Sequence, residues 1–155
     1  MPSEIDIFRE YVGTRADLGT VATEYEIDQF EARYNIKFPP DIREYFLKIN
    51  GVYEFGGFIT IRALCDWRLW SENEQGYDPP YISRILSELD QTGQYFCFGS
   101  YDFLVWDWLI RLDTDSTTSS PVFVTYEVVT KLADSFTEFL QKYRMNEPES
   151  LLGYG

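Results

Sequence analysis

The apolar positions of this chain repeat with two different periods, and the change falls near residue 51. Before it the spacing is helical. Ile5, Phe8 and Val12, with Tyr11 beside them, form one stripe across 4–12, and Gly13 and Gly19 bracket a loop after it. Thr23-Glu24-Tyr25-Glu26 reads as a capping box, in which the Thr23 hydroxyl accepts from an early helix N–H and Glu26 reaches back to the cap. Ile27, Phe30 and Tyr34 follow at i, i+3 and i+7, so the spacing predicts a helix over 24–34 closed by Asn35. Ile36 to Pro40 must be extended, because a residue that precedes proline is pushed out of the α region. Pro40 has no N–H to lose and opens the next helix, whose dipole Asp41 and Glu44 complement. Ile42, Tyr45, Phe46 and Ile49 give that helix the strongest apolar stripe in the chain. Asn50-Gly51 ends it, with Gly51 expected in the left-handed conformation.

After residue 51 the period drops to two. A strand is predicted over 55–61, bent or bulged at Gly56-Gly57. The stretch 62–82, with Trp67, Trp70, Gly76 and Pro79-Pro80, reads as irregular or partly helical, and 82–89 as a short helix. An aromatic strand at 95–98 is followed by a turn at Gly99-Ser100. The central strand is 103–112: Leu104, Trp106, Trp108, Ile110 and Leu112 face the core, while Phe103, Val105, Asp107, Leu109 and Arg111 form a mixed, partly covered face. A turn at 113–120 leads into a strand over 122–126, an antiparallel hairpin. Ser135 and Glu138 make a second capping box, and Phe136, Phe139, Leu140 and Tyr143 stripe a last helix over 135–145. The residues from Asn146 are expected to be loosely held. Helices at both ends of a meander of strands predict an α+β fold, with one domain over 1–155 and its core about 24–145.

Composition narrows the chemistry. The 155 residues suit one domain, and 45% apolar and 18% aromatic content excludes intrinsic disorder. Histidine is absent, which removes the commonest general base, Ser-His and Cys-His nucleophiles and His-containing zinc sites. Cys65 and Cys97 form no CxxC pair, and two unpaired thiols suit a reducing compartment, so the expected location is cytoplasmic. The first residues lack the basic and apolar regions of a signal peptide. The longest apolar run, 103–110, is interrupted by Asp107 and falls far short of the roughly 20 residues of a membrane span.

Charge adds a direction. Twenty-six acids face 13 bases, a net −13, and ten of those acids lie between Glu72 and Glu127 against only Arg84 and Arg111. Such a field repels nucleic acid and anionic membranes and steers a basic partner; it also simply maintains solubility. Asp113 and Asp115 form a D-x-D that can hold a divalent cation, yet they are ordinary turn residues without EF-hand spacing, and no metal is expected. Asp102 and Asp107 project from opposite faces of a strand and cannot pair as hydrolytic carboxylates. Cys97, between Phe96 and Phe98, has no basic sequence neighbour to stabilise a thiolate. Trp106 and Trp108 lie on the core face, whereas Trp67 and Trp70 leave a binding role open. No acid, base and nucleophile assemble, so neither an enzyme nor a cofactor is expected.

The segment 26–51 resembles the SUKH superfamily, named for a fungal cell-wall-assembly regulator and its bacterial relatives. The resemblance rests on Ile27, Phe30, Glu31, Pro39, Asp41, Asn50 and Gly51, and continues through Phe98-Gly99, the strand end from Trp108 to Asp113, Pro121-Val122 and Asp134-Ser135-Phe136 with Phe139-Leu140, about 24–143 in all. Val52 stands where a second glycine is common. The resemblance implies a SUKH-like fold and a binding protein. Many bacterial members neutralise a cognate toxin domain, often a nuclease, and the fungal ones act as regulatory or scaffold modules. On that reading a basic protein toxin is the expected partner. The expected contact lies in the loops 66–80 and 113–119, through Trp70, Glu72, Glu74, Tyr77, Asp78, Asp113 and Asp115. Solvated loop charge is the competing account of those acids.

Overall fold

A computed structural model of the chain describes residues 1–55, 59–72, 79–90, 92–101, 106–115, 119–125 and 128–145. Three helices come first: α1 (Glu4–Val12), α2 (Glu24–Tyr34) and α3 (Pro40–Lys48), with the short strand β1 (Ala16–Leu18) inside the expected 13–19 loop. Then follow β2 (Val52–Glu54), β3 (Ile59–Ile61), β4 (Arg68–Leu69), α4 (Pro79–Ser87), β5 (Gln94–Tyr101), β6 (Trp106–Leu112), β7 (Val122–Val124), β8 (Thr130–Ala133) and α5 (Phe136–Met145). The strands form one antiparallel sheet in the order β1-β2-β3-β5-β6-β7-β8, with β4 also on β5. The fold is α+β, as expected.

The caps form as the sequence requires. Thr23 Oγ1 accepts from the Glu26 N–H while Glu26 accepts from the Thr23 N–H, and Ser3 and Asp6 make the same box on α1. Ser135 Oγ accepts from the Glu138 N–H. Asp41 does more than complement α3. Its carboxylate also accepts from Thr137 N at 3.0 Å and Thr137 Oγ1 at 2.7 Å, so it caps α5 across 96 residues of sequence.

The proline corner between α2 and α3 is built on a buried charge. Glu31 is 6% exposed; it accepts from the Phe38 N–H at 2.7 Å and from Arg43 Nη1 at 3.2 Å. Arg43 also grips Glu24 and, at 2.7 Å, Asp28. α1 is tied down similarly, by Lys48 bridging Asp6 and Glu44 at 2.8 Å each and by Arg144 reaching Glu4 at 2.6 Å.

Four expectations change. Residue 50 is the left-handed one, with Asn50 at φ 61° and Gly51 outside that region; a Cβ on Gly51 would press on the Tyr53 ring at 3.0 Å. Gly99-Ser100 is no turn, because β5 runs through it with a bulge between Cys97 and Gly99. A Cβ on Gly99 would lie 2.8 Å from both the Thr60 carbonyl and the Trp108 ring, so close packing selects that glycine. Of the expected 55–61 strand the described part that is strand is β3, 59–61; Phe55 is in a turn, and β3 pairs antiparallel with β2, which precedes the expected span. The mixed face of the central strand is buried: Asp107 is 3% and Leu109 0% exposed, because α4 and Trp70 cover it. Phe103, Leu104 and Val105 lie outside the described residues, as do Gly56, Gly57, Tyr126 and the 146–155 tail.

Two cores result. The larger joins α1, α2, α3 and α5 to one sheet face through Phe8, Ile27, Phe46, Trp67, Phe98, Trp106, Trp108 and Phe139. The smaller lies on the other face and contains Trp70, Ile85, Leu89, Tyr95, Cys97 and Leu109.

Replacing Glu31 with Ala leaves the Phe38 N–H and Arg43 without their buried acceptor, so the urea midpoint should fall by the equivalent of about 2–4 kcal/mol, whereas Glu24→Gln, at an exposed carboxylate, should barely move it. The Lys48 ammonium, with the Ser3 N–H, pushes the Asp6 carboxyl down to about 2, and Arg144 lowers that of Glu4. A carboxyl depressed by folding stabilises above its unfolded value and loses that contribution as pH falls through the folded one. Urea midpoints should therefore hold down to about pH 4 and drop towards pH 2, with a shallower drop in Asp6→Asn.

Candidate partner-binding groove

α2 shows two faces. Ile27 and Glu31 are buried with Phe30 and Tyr34 half-buried beside them, while Tyr25, Gln29 and Arg33, at i, i+4 and i+8, point outward along a second stripe. That stripe forms one wall of a groove of about 920 Å³. The opposite wall is the segment 64–72: Leu64, Cys65, Trp67, Arg68 and Glu72. Buried Asn50 positions this wall, because its Oδ1 accepts from the Leu64 N–H at 2.9 Å while its Nδ2 donates to the Thr20 carbonyl at 2.8 Å. Trp67 anchors it from below, with its indole N–H on the Arg62 carbonyl at 3.0 Å and its ring edge-on to Phe46 at 4.9 Å.

Two arginines face the groove from its two walls. Arg33 lies over the Tyr34 ring at 5.0 Å. Arg68 donates through Nη1 to the carbonyls of Cys65 at 2.8 Å and Trp67 at 3.2 Å, and its Nη2 stands 4.0 Å from Asp66.

A second hollow, about 660 Å³, is lined by Thr92, Gly93, Gln94, Arg111, Leu112, Asp113, Thr114 and Asp115. Arg111 sits between Asp90 at 3.3 Å and Asp113 at 3.8 Å. The Thr92 hydroxyl and N–H, with Arg111, hold the Asp90 carboxyl below its ordinary value. A Cβ on Gly93 would fall 2.3 Å from Asp113 Oδ1 and 2.8 Å from Arg111 Cγ, so glycine leaves room for both side chains as they stand. The two hollows meet at the C-terminal end of α2: Tyr34 lines the first, and its carbonyl accepts from Gln94 of the second at 2.7 Å. The Lys37 N–H on the Asp113 carbonyl at 2.9 Å closes the seam.

The residues expected at the contact separate into groups. Trp70 is wholly buried, with its indole N–H on the Ile82 carbonyl at 3.3 Å, so it is a foundation of the smaller core and presents no ring to a partner. Glu72 is exposed at the groove. Asp113, 18% exposed, and the exposed Asp115 line the second hollow. Glu74, Tyr77 and Asp78 lie outside the described residues. Sequence reasoning missed Tyr25, Gln29, Arg33 and Arg68, although the i, i+4, i+8 spacing beside the core stripe of α2 was its signal. Among the described residues no three acids or cysteines converge as metal ligands, and no helix is long and apolar enough to cross a membrane.

The sequence pattern of the SMI1 / KNR4 family (SUKH-1) matches residues 21–142. The chain belongs to this family. The matched span contains the proline corner, both groove walls and the second hollow, so the surface just described is part of the SUKH-1 domain. No curated protein sequence matches the chain.

The two thiols of this SUKH-1 domain differ sharply. Cys65 is exposed on the groove wall; Cys97 is fully buried, and burial, with Asp107 beside it, pushes its thiol far above the ordinary value. Iodoacetamide at pH 8 should modify Cys65 alone in the native protein and reach Cys97 only in denaturant, as peptide mass mapping would show.

Proposed function

We propose that this SUKH-1 protein is an immunity-type inhibitor that neutralises a cognate toxin domain, one with a basic docking surface, by occupying it. Immunity and regulatory roles are both compatible with SUKH-1 membership, and the family generally works without catalysis. What supports the immunity reading is the uneven compensation of charge. Near the N-terminus several acids share ion pairs, Asp6 and Glu44 with Lys48, Glu24, Asp28 and Glu31 with Arg43, and Glu4 with Arg144. The sequence from 72 to 127 holds ten acids and two bases, Arg84 and Arg111, and these two engage Glu88, Asp90 and Asp113. The net negative charge of this segment attracts an incoming cationic surface and accelerates encounter more than it deepens affinity.

Co-expression with the products of neighbouring genes tests this. A toxic neighbour should be silenced and should co-purify as a stoichiometric complex. In that complex Asp113→Lys with Asp115→Lys should slow association about tenfold and flatten its salt dependence, with a smaller effect on dissociation. Neighbours that are neither toxic nor bound overturn the reading; a stable complex with a non-toxic neighbour places the protein among regulatory or scaffold modules.

A further inference from the structure

We infer that β1 is a self-complementary edge through which two copies of this chain pair antiparallel about Ala16, with Arg15 of each copy opposite Asp17 of the other. β1 ends the strand order of the sheet, so one of its sides has no neighbouring strand. The Phe55 N–H donates to the Arg15 carbonyl at 3.1 Å and the Gly19 N–H to the Gly51 carbonyl at 3.0 Å, so the odd-numbered residues turn their backbone groups towards β2. By the alternation of an antiparallel ladder, Ala16 and Leu18 turn theirs away from the sheet. No side chain of the described residues bonds to the backbone of either. The opposite end of the sheet differs: at β8, Lys142 donates to the Leu132 carbonyl at 2.5 Å, a cation that blunts the edge. Beside β1 there is also room, a hollow of about 490 Å³ shared with α1 and lined by Arg9, Glu10, Thr14 and Leu18.

The charge pattern names the occupant. Arg15 and Asp17 are exposed on either side of Ala16. Two-fold pairing about Ala16 sets Arg15 against Asp17 twice, in the non-hydrogen-bonded positions where opposed Cα atoms stand only about 4.5 Å apart. Pairing about Asp17 would set two carboxylates against each other, and pairing about Leu18 would leave both charges unmatched, so the pattern selects the register. A uniformly basic or uniformly acidic strand would satisfy one of the two charges and repel the other. Both groups can take part. The Asp17 carboxylate has no hydrogen bond or ion pair among the described residues. Arg15 lies over the Tyr11 ring at 4.2 Å with Nη1 on the Tyr11 carbonyl at 2.8 Å, and its Nε and Nη2 hold no other partner there. Tyr53, directly opposite Asp17, is 37% exposed, and Phe55 is 66% exposed, so aromatic surface of the kind enriched at interfaces borders the edge. The net −13 of each chain opposes the approach and keeps the association weak.

Neither α1 nor β1 lines the groove or the second hollow, so a dimer presents two of each and the inference is independent of the immunity reading. Sedimentation equilibrium of the full chain at 0.15 M salt, from about 10 µM to 1 mM, tests it. A monomer–dimer equilibrium with a Kd on the order of 100 µM is expected. Asp17→Arg and Arg15→Asp should each raise that Kd at least about tenfold while keeping the native circular dichroism, and a 1:1 mixture of the two variants should dimerise again, because their edges are then complementary. Amide exchange on the unaltered chain needs no variant: protection of the Ala16 N–H should rise with protein concentration, while that of Asp17, already bonded to β2, should stay constant. A chain that remains monomeric at 1 mM, a dimer indifferent to Asp17→Arg, a mixture that does not associate, or Ala16 protection that ignores concentration overturns the inference.

Discussion

A carboxylate removed from water must be compensated by donors, and in this protein that requirement fixes the relation of α2 to α3. Glu31 accepts from a backbone N–H across the proline corner and from Arg43 on the next helix, so neither helix can rotate without exposing an unmet charge. The angle thus set decides which stripe of α2 turns inward and which becomes a groove wall. Phe30 fills the floor and Arg33 the rim because Glu31, between them in sequence, is held on the buried side.

The second device is lateral. β3 and β4 pair with the same edge of β5, Ile61 opposite Gly99 and Arg68 opposite Cys97, with the short turn 64–66 between them. The chain thus follows one strand, leaves it to make the groove wall, and returns. Asn50 holds the departure point, and its left-handed backbone lets one side chain bridge the 20-loop and the start of the wall. Core and groove therefore share Phe30 and Tyr34 on α2 and Leu64 and Trp67 at the base of the wall.

How much of this could be read in advance follows from the range of the forces involved. Caps and helical stripes are local, so α2, α3 and α5 announce themselves through Thr23, Pro40 and Ser135. Strands of two to four residues contain less than one informative alternation, and β1, β4 and β8 exist because a partner strand is already there. The burial of Asp107 and Trp70 was hidden for a similar reason, since an amphipathic α4 must first be laid across the sheet. Of the acids singled out by counting charge along the chain, Glu72 and Asp115 are exposed and Asp113 is half-buried. The same count could not show which acids pair with which bases, because pairing is a property of the folded chain. Gly51 and Gly99 were legible as special positions, but the reason was crowding by Tyr53 and Trp108 and not chain reversal.

The detour between β3 and β4 has an evolutionary corollary. Because the sheet pairing is restored as soon as the chain rejoins β5, residues can be gained, lost or exchanged in the excursion while every other strand keeps its register. Substitutions in the wall then carry small risk to folding. The lineage is expected to accumulate length variation there sooner than anywhere in the proline corner.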